Sequence, residues 1–552
     1  MSEQVDYDWV IVGSGFGGSV SALRLVEKGY KVAVLEAGRR FRDEDFAKST
    51  WNARRFLWAP ALGLKGILRL TPFKDIFIAS GAAVGGGSIV YANTLYRAKP
   101  EFFANPQWKT LEDWSKVLKP HYDTAERMLG VNVVPRESDG QKLLAKMGQA
   151  FGVAETFRRT PVGVYFGKPG VAAPDPYFGG EGPERRGCTF CGACMVGCRE
   201  GAKNTLLKNY LWFAEKRGAE VVAETTVVDI RPLGRGDGSE GYAITTERSG
   251  AWFARHRRTI ITRGLVVSAG ALGTNRLLAQ CKLKGSLGRL SDRLGKLVRT
   301  NSESLLAITM PKGHSRPWND VAIGASIHPT PDTHIEFVTY GRHGDSMSLF
   351  STLLTGNGSR LTRPLRWLGN VLGHPLTFLR SLWPFGWSRR SLLLLVMQSL
   401  DNAMSFEAKH GLFGRVSLST RQDPDKPNPT FIEVGNKAAA WAAEHTGGYA
   451  QSVLLEALGN VPSTAHILGG AVIGEDAQSG VVDRYGRAFG YQNLLVCDGS
   501  IMPANPGVNP SLTITALAEH VMSHVPARTV GIEPVPRREP IGAAPEPVLA
   551  EA

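Results

Sequence analysis

Residues 8–36 constrain the fold more than any other stretch of the chain. Asp8 leads into an apolar run, Trp9-Val10-Ile11-Val12, which is followed by Gly13-Ser14-Gly15-Phe16-Gly17-Gly18. A helical pattern continues through Val20, Leu23, Leu25 and Val26, and Lys31 to Leu35 forms a second apolar strand ending in Glu36. Strand, glycine turn, helix, strand and acid, in that order, are what a dinucleotide-binding unit needs. Gly13 permits the tight turn, Gly15 lets backbone approach a pyrophosphate, and Gly18 lets the helix pack close to the strand. Phe16, in the same turn, is placed with them at the cofactor. The helix amino terminus supplies free N–H groups for the phosphates. Glu36 suits the adenosine ribose, and its charge argues against a 2′-phosphate and so against NADP.

A second glycine cluster, Gly81-Ala82-Ala83-Val84-Gly85-Gly86-Gly87-Ser88, lies far beyond this first unit. So little side-chain bulk lets a large planar cofactor lie against backbone, which favours FAD over NAD. A flexible loop is the plain alternative, but apolar Ile89 and Val90 follow directly, unlike a solvated linker. The chain has 552 residues, too many for one compact domain, so two interleaved parts are expected. Its composition, 43% hydrophobic and 21% charged, is ordinary for a globular protein. A formal net charge of +14 fits nucleic acid, an anionic membrane surface or an acidic partner without choosing among them. No secretory pattern opens the chain, and Leu392 to Met397, the longest apolar candidate, is too short to cross a bilayer. Six cysteines are too few for a disulfide scaffold, so the reducing cytoplasm is the expected compartment.

With these segments in view, the chain resembles the glucose–methanol–choline (GMC) oxidoreductases, and among them the cholesterol oxidase-like branch. Gly85-Gly86-Gly87-Ser88-Ile89-Val90 is similar to the segment along that family's flavin, and residues 265–274, LVVSAGALGT, to the strand and turn that return to FAD. The most specific match is carboxyl-terminal. It begins at His466-Ile467-Leu468-Gly469-Gly470 and passes through Asp498-Gly499-Ser500 and Gly507-Val508-Asn509-Pro510. The resemblance implies that His466 orients or deprotonates a substrate hydroxyl, and that Asn509 holds the substrate oxygen or polarises the flavin. It places Asp498 and Gly499 near the ribityl chain, Ala269 in the returning turn, and Gly81, Gly85, Gly86 and Ser88 along the flavin. Val227 would offer backbone to adenine, and Glu336, in His334-Ile335-Glu336-Phe337-Val338, would be the substrate-domain carboxylate. The family's Asn-Gly-Gly after the glycine–serine segment is replaced here by Tyr91-Ala92-Asn93, so Asn93 is expected at the flavin and its neighbours differ.

The chemistry asks for these residue types. Hydride transfer from an alcohol carbon leaves a proton on oxygen, and an imidazole titrates near working pH. A neutral amide holds the oxygen without adding charge, while the flavin carries the difficult electronics. The bland readings are a structural histidine at 466 and a salt-bridged strand carboxylate at 336.

Cys188, Cys191, Cys194 and Cys198 have the spacing C-x2-C-x2-C-x3-C of bacterial ferredoxins, with Gly187, Gly192 and Gly197 easing the turns. Arg199 stands where ferredoxins have proline, and no second run exists. An iron–sulfur cluster ranks first for these ligands, ahead of a zinc knot, a redox thiol pair and buried free thiols.

No acid occurs between Asp345 and Asp401, a segment with six arginines interleaved with leucine and tryptophan and broken by Pro364, Pro375 and Pro384. Arginine for headgroups, tryptophan for the boundary and leucine for acyl chains suit an anionic membrane surface. Residues 54–62, RRFLWAPAL, have the same character. A pocket lid or a subunit contact is the alternative. Nucleic acid is not expected, because leucines outnumber hydrogen-bonding side chains.

The expected architecture is α/β: a discontinuous, doubly wound Rossmann-type FAD domain with an α+β substrate domain on a mainly antiparallel sheet. Residues 1–100, 203–300 and 466–528 are assigned to FAD binding, and 101–202 to a substrate-side segment with the cysteines. Residues 301–465 form the substrate domain with the insertion at 346–400, and 529–552 a disordered tail. Asn204 to Lys216 reads as a helix; Glu220 to Ile230, Phe413 to Ser419 and Thr430 to Val434 read as strands. The expected activity is FAD-linked oxidation of a hydrophobic, sterol-like alcohol, with oxygen or a carrier protein as acceptor. A long-chain alcohol dehydrogenase using an iron–sulfur cluster, or a non-catalytic membrane-associated electron-transfer flavoprotein, is the alternative. Peripheral attachment to the inner membrane face accompanies the cytoplasmic expectation.

Overall fold

A computed structural model of the protein describes residues 4–313, 316–411 and 416–528. The assigned tail, 529–552, lies outside the described residues.

The apolar run at the amino terminus forms the strand Tyr7–Val12, and Val32–Leu35 pairs parallel to it in register Val10↔Ala33. The intervening helix, Phe16–Glu27, is buried along nearly its whole length. A Cβ on Gly17 would stand 1.7 Å from the Cys497 carbonyl oxygen, and one on Gly18 2.0 Å from that of Gly13, so the helix seats only because both are glycine. The sheet continues outward through Glu220–Val222 on one side and Arg258–Val267 on the other, both parallel. Leu494–Val496 pairs parallel with the carboxyl half of Arg258–Val267, while Tyr242–Arg248 pairs antiparallel with its amino half. One long strand thus has two successive neighbours along a single edge. The parallel part is a doubly wound sheet whose order reverses between Tyr7–Val12 and Arg258–Val267, the crevice where such sheets bind ligands.

The expected strand from Glu220 to Ile230 is two strands. Glu224 takes a positive φ of 53°, and the chain leaves Val32–Leu35 and re-enters as Thr225–Pro232, antiparallel to Tyr242–Arg248. The helix expected from Asn204 starts late. A 3-10 turn spans Leu206–Lys208, and the α-helix is Tyr210–Lys216, with Asn209 accepting the Tyr210 N–H.

The second large sheet is antiparallel throughout: Ser351–Leu353, Tyr449–Val453, Ser304–Thr309, Ser391–Gln398, Thr333–Val338, Ala325–Thr330 and Arg158–Arg159, in spatial order. The helices Asp139–Ala150 and Glu433–Thr446 cover one face, where Leu306, Ile335, Phe337, Leu394 and Val396 are buried. The opposite face buries Ala307, Val338, Leu393, Leu395 and Met397. Coverage on both faces explains the unbroken apolar run at 392–397, because every side chain of the strand needs a dry neighbour. The strand expected at Thr430–Val434 is instead the lead-in to the helix Glu433–Thr446, whose alanines pack on the sheet. The strand expected at Phe413–Ser419 is observed as Val416–Gln422; its first residues, 413–415, lie outside the described ones.

The prolines of the insertion divide it into the helices Thr362–Gly373 and Pro375–Ser381. Pro364 sits in a first turn and Pro375 opens its helix, places where a missing N–H costs nothing. The inward side is polar. Buried Arg363 donates to the Thr430 carbonyl and Asn460 Oδ1, Trp367 Nε1 to Thr352 Oγ1 at 2.8 Å, and Asn370 Nδ2 to the Leu354 carbonyl at 2.9 Å. Leu361, Leu365, Leu368 and Leu372 form a helical stripe on the outside, 82% exposed at Leu361 and 73% at Leu372. Leu376, Leu379, Leu382, Trp383 and Phe385 extend it, and Trp51 stacks on Phe385 at 6.0 Å. Within 54–62 the character is divided: Phe56 and Trp58 are core, and Leu62 is exposed. No helix among the described residues is long and apolar enough to cross a membrane.

Candidate functional site

The ends of the parallel strands gather the expected cofactor residues. Gly13 follows Tyr7–Val12, Glu36 follows Val32–Leu35, Ala269 follows Arg258–Val267, and Asp498 follows Leu494–Val496. The second glycine cluster, far away in sequence, closes on the first: the Gly85 N–H donates to Ser14 Oγ at 3.0 Å. Ser88 Oγ ties the segment internally, donating to the Gly85 carbonyl at 2.7 Å and accepting from the Leu206 N–H at 3.0 Å. Glu36 binds the turn through the Ser14 N–H and hydroxyl and the Gly38 N–H. Asp498 accepts from Thr274 Oγ1 at 2.6 Å and from the Ser500 N–H at 2.8 Å, and burial pushes its carboxyl above the usual range. Gly499 follows it under Leu468 and Ile514, and Val227 is buried beside an irregularity in its strand.

These residues fit FAD. A Cβ on Gly15 would meet nothing within 4 Å, whereas one on Gly86 would stand 2.5 Å from the Gly15 Cα. Open space therefore lies over the Gly15 turn, at the start of a helix with no side-chain cap, which suits a pyrophosphate. Asn93 is fully buried at φ 71°, and neither atom of its amide has a partner in the chain. Buried amides are normally satisfied, so this one fits a polar group from outside the chain.

The carboxyl-terminal match and the second sheet meet through direct contacts, Asn509 with Glu336 and Asn301 with the Val508 carbonyl. His466 lies between the short strands Ser463–Thr464 and Leu468–Gly470, with Nδ1 2.9 Å from Glu303 Oε1. Glu303 was not anticipated from sequence. It precedes the strand Ser304–Thr309 in a polar stretch, and its Oε1 also accepts from Thr464 Oγ1 at 2.6 Å and its Oε2 from the Ala465 N–H at 2.9 Å. Burial pushes Glu303 upward, but the His466 imidazolium and these donors outweigh it and hold the carboxyl below its ordinary value. Burial lowers His466, yet Glu303 more than compensates and raises it.

Glu336, on Thr333–Val338, alternates away from the helix-covered face toward Leu393, Leu395 and Met397. Asn509 Nδ2 donates to its Oε2 at 3.2 Å, across 173 positions of sequence. Glu336 Oε1 and Asn509 Oδ1 have no hydrogen-bond partner in the chain. Burial pushes the Glu336 carboxyl up to about 8, against small opposing effects from Asn509 and His466. Buried His334 stacks on His328 at 4.5 Å, its Nε2 3.9 Å from Glu336 Oε1. Two carboxyls thus act electrostatically on the His466 imidazole, Glu303 held low and Glu336 high, a division that lets one anchor while the other exchanges a proton.

The four clustered cysteines line one cavity with Asn93 and Lys203. All are free thiols, and burial pushes Cys194 up to about 12 and Cys188 higher still. Among the described residues no three His, Cys, Asp or Glu side chains are grouped to hold a metal ion, which leaves the expected iron–sulfur ligation by Cys188, Cys191, Cys194 and Cys198, and the zinc knot with it, without support.

Comparison with known proteins agrees with this arrangement. Residues 8–349 match the FAD dependent oxidoreductase family model and residues 414–518 the GMC oxidoreductase carboxyl-terminal one. The chain is 48% identical to a cholesterol oxidase of Mycobacterium tuberculosis over 97% of its own length and 94% of the relative's. It is 46% identical to a cholesterol oxidase of Acinetobacter baumannii, covering 95% of each chain. A solved fungal aryl-alcohol oxidase shares the fold with a TM-score of 0.58 at 13% identity, over 94% of this chain and 98% of that one. The chain belongs to the GMC oxidoreductases, in their cholesterol oxidase-like branch, and is an FAD-dependent enzyme acting on CH–OH donors.

Proposed function

We propose that this enzyme oxidises the hydroxyl of a sterol-like alcohol to a ketone, with oxygen as the final acceptor. The observation that carries the reading is the Glu336–Asn509 pair, 3.2 Å apart on a buried apolar sheet face, with a charge-paired imidazole close by. Relatives called cholesterol oxidases, at 46–48% identity, support the substrate class and the acceptor. Membership of this enzyme family leaves the non-catalytic alternative without support.

Gly13, Gly15, Phe16, Gly18, Glu36 and the 81–93 segment would hold FAD, with Val227, Ala269, Asp498 and Gly499. Bound FAD supplies the acceptor for the hydride leaving the carbinol carbon. Glu303 fixes His466 through Nδ1, so that Nε2 is left to hydrogen-bond the substrate oxygen. Glu336 Oε1 accepts the hydroxyl proton, and Asn509 steadies the other carboxylate oxygen. Leu393, Leu395 and Met397 exclude water beside them, which strengthens each polar contact. The carboxyl must be ionised to act as base. Turnover at subsaturating sterol is therefore expected to rise with pH through about 8.

The outward leucine stripe supports a second element of this reading. Apolar side chains that face out while polar ones anchor the same helices mark a docking surface, and the exposed Arg380 and Arg389 suit anionic lipid. Replacing Leu372 and Leu379 with serine is expected to weaken binding to anionic vesicles about tenfold, and to leave turnover of detergent-dispersed sterol unchanged. Unchanged vesicle binding would remove lipid docking. The central test is the flavin spectrum under anaerobic addition of cholesterol. Bleaching that reverses in air supports the reading, and an unaltered spectrum rejects a sterol substrate.

A further inference from the structure

A carboxylate that takes a proton in each turnover serves again only once that proton is gone. At Glu336 the apolar neighbours Leu393, Leu395 and Met397 hold bulk water off, so side chains have to carry the proton away. One stands next to the carboxyl. His334 lies two residues before Glu336 on the same strand, and both therefore point to the same face. Its Nε2 is 3.9 Å from Glu336 Oε1, and a shift of about 1 Å brings the two to hydrogen-bond length. His334 is fully buried, and neither of its ring nitrogens has a hydrogen-bond partner among the described residues. A histidine kept only for packing would have its nitrogens satisfied. A free nitrogen on each side of the ring suits a group that takes a proton at one and gives it up at the other.

His328 continues the line outward. It stands across from His334 on the neighbouring strand Ala325–Thr330, between the pairs Ile327↔Ile335 and Thr330↔Thr333. The two rings stack at 4.5 Å, 16° from parallel. His334 is sealed, whereas His328 is only half-buried and meets solvent. The surroundings keep both rings neutral between turnovers. At His334 burial, then His328 and Lys99, hold the ring well below its ordinary value. At His328 burial, Lys99 and Arg158 outweigh the Thr333 backbone and bring it to about 4. Tyr96 packs edge-on against His334 at 5.2 Å, but its hydroxyl is taken up by Ser326 Oγ at 2.8 Å. Asp332 is occupied by the Thr330 and Thr333 hydroxyls. A weak acceptor passes a proton on rather than trapping it.

We propose that His334 and His328 carry to solvent the proton that Glu336 takes from the substrate hydroxyl. The step breaks the Glu336 O–H bond and forms an N–H bond on His334. The proton then leaves by way of His328 and ends on solvent; no electron moves. The inference rests on Glu336 as the proton acceptor.

The test follows the proton itself in full-length, FAD-loaded protein. A jump from about pH 6 to about pH 9 ionises Glu336, and time-resolved infrared records the loss of its carboxylic C=O band, assigned as the band missing from Glu336→Gln. In His334→Phe that loss is expected to slow about tenfold or more, and in His328→Phe, at the half-buried ring, to slow as well. Anaerobic bleaching of the flavin by cholesterol gives a second readout. His334→Phe held at about pH 6 and mixed with cholesterol at about pH 9 is expected to show a lag. The same variant held at about pH 9 beforehand is expected to show none, because its carboxyl is already ionised. A purely structural change would slow both starts alike. Band loss at the native rate in His334→Phe overturns the proposal, and so does equal slowing from the two starts. Native turnover in Glu336→Gln would instead remove Glu336 as the acceptor, and this inference with it.

Discussion

The alcohol site and the cysteine loop both border the 81–93 segment, yet they are assembled in opposite ways. Glu303, Glu336, His466 and Asn509 come from four separate stretches, and their contacts span up to 173 positions. The four cysteines come from eleven consecutive residues shaped by local turns. In the first site each ionisable group is tuned by another element: Glu303 is held low and Glu336 pushed up to about 8. In the second, the buried Lys203, whose Nζ donates to the Cys194 carbonyl, is only five residues beyond Cys198. Long-range assembly lets the fold set proton affinities one by one, whereas a local loop delivers its group of side chains whole.

The sharpest test of this contrast is Glu336→Gln. Turnover is expected to fall about 10²–10⁴-fold, the usual loss for a proton acceptor, with flavin content unchanged. The same variant has a stability consequence. The folded carboxyl titrates above its unfolded value of 4.5, so the folded form resists ionisation and stability falls as pH rises from 4.5 through about 8. Removing the group is expected to raise the melting temperature above pH 8 and to change little at pH 4. The destabilisation relieved is at most about 5 kcal/mol. Equal melting curves at alkaline pH would show that Glu336 is not held against ionisation.

Glu303→Gln probes the anchor. Losing the carboxylate lowers the His466 pKa, so the alkaline limb of the pH–rate profile is expected to move to lower pH. A drop of about 10–100-fold in kcat/KM should accompany it. A fall in activity without movement of the limb would make Glu303 merely structural. The smallest effect is expected for Cys194→Ala on anaerobic flavin reduction by sterol, within about twofold of the native rate. A large loss there would join the two sites and break the contrast.

Much of the architecture was legible because it depends on local pattern. The strand–glycine–helix–strand–acid order at 8–36 maps onto the first two strands, since each part is a short-range requirement of backbone geometry. The antiparallel second sheet was anticipated as a class, while single elements were not. Thr430–Val434 has strand composition but leads into a helix because neighbouring alanines offer a face to pack. Glu220–Ile230 divides because Glu224 turns left-handed, a position with no local marker.

Residue identity told which side chains could do chemistry: His466, Asn509, Glu336, and the four thiols with their spacing. It could not tell that Glu303 would stand 2.9 Å from His466, or that Asn509 would reach Glu336. Those pairings depend on how two sheets dock. Nor could composition separate Phe56 and Trp58, which are core, from Leu361 and Leu372, which face outward. Spacing and residue type are short-range properties that survive in a one-dimensional string. Burial, partner choice and proton affinity arise only when distant segments exclude water together, and that is decided by the packed fold.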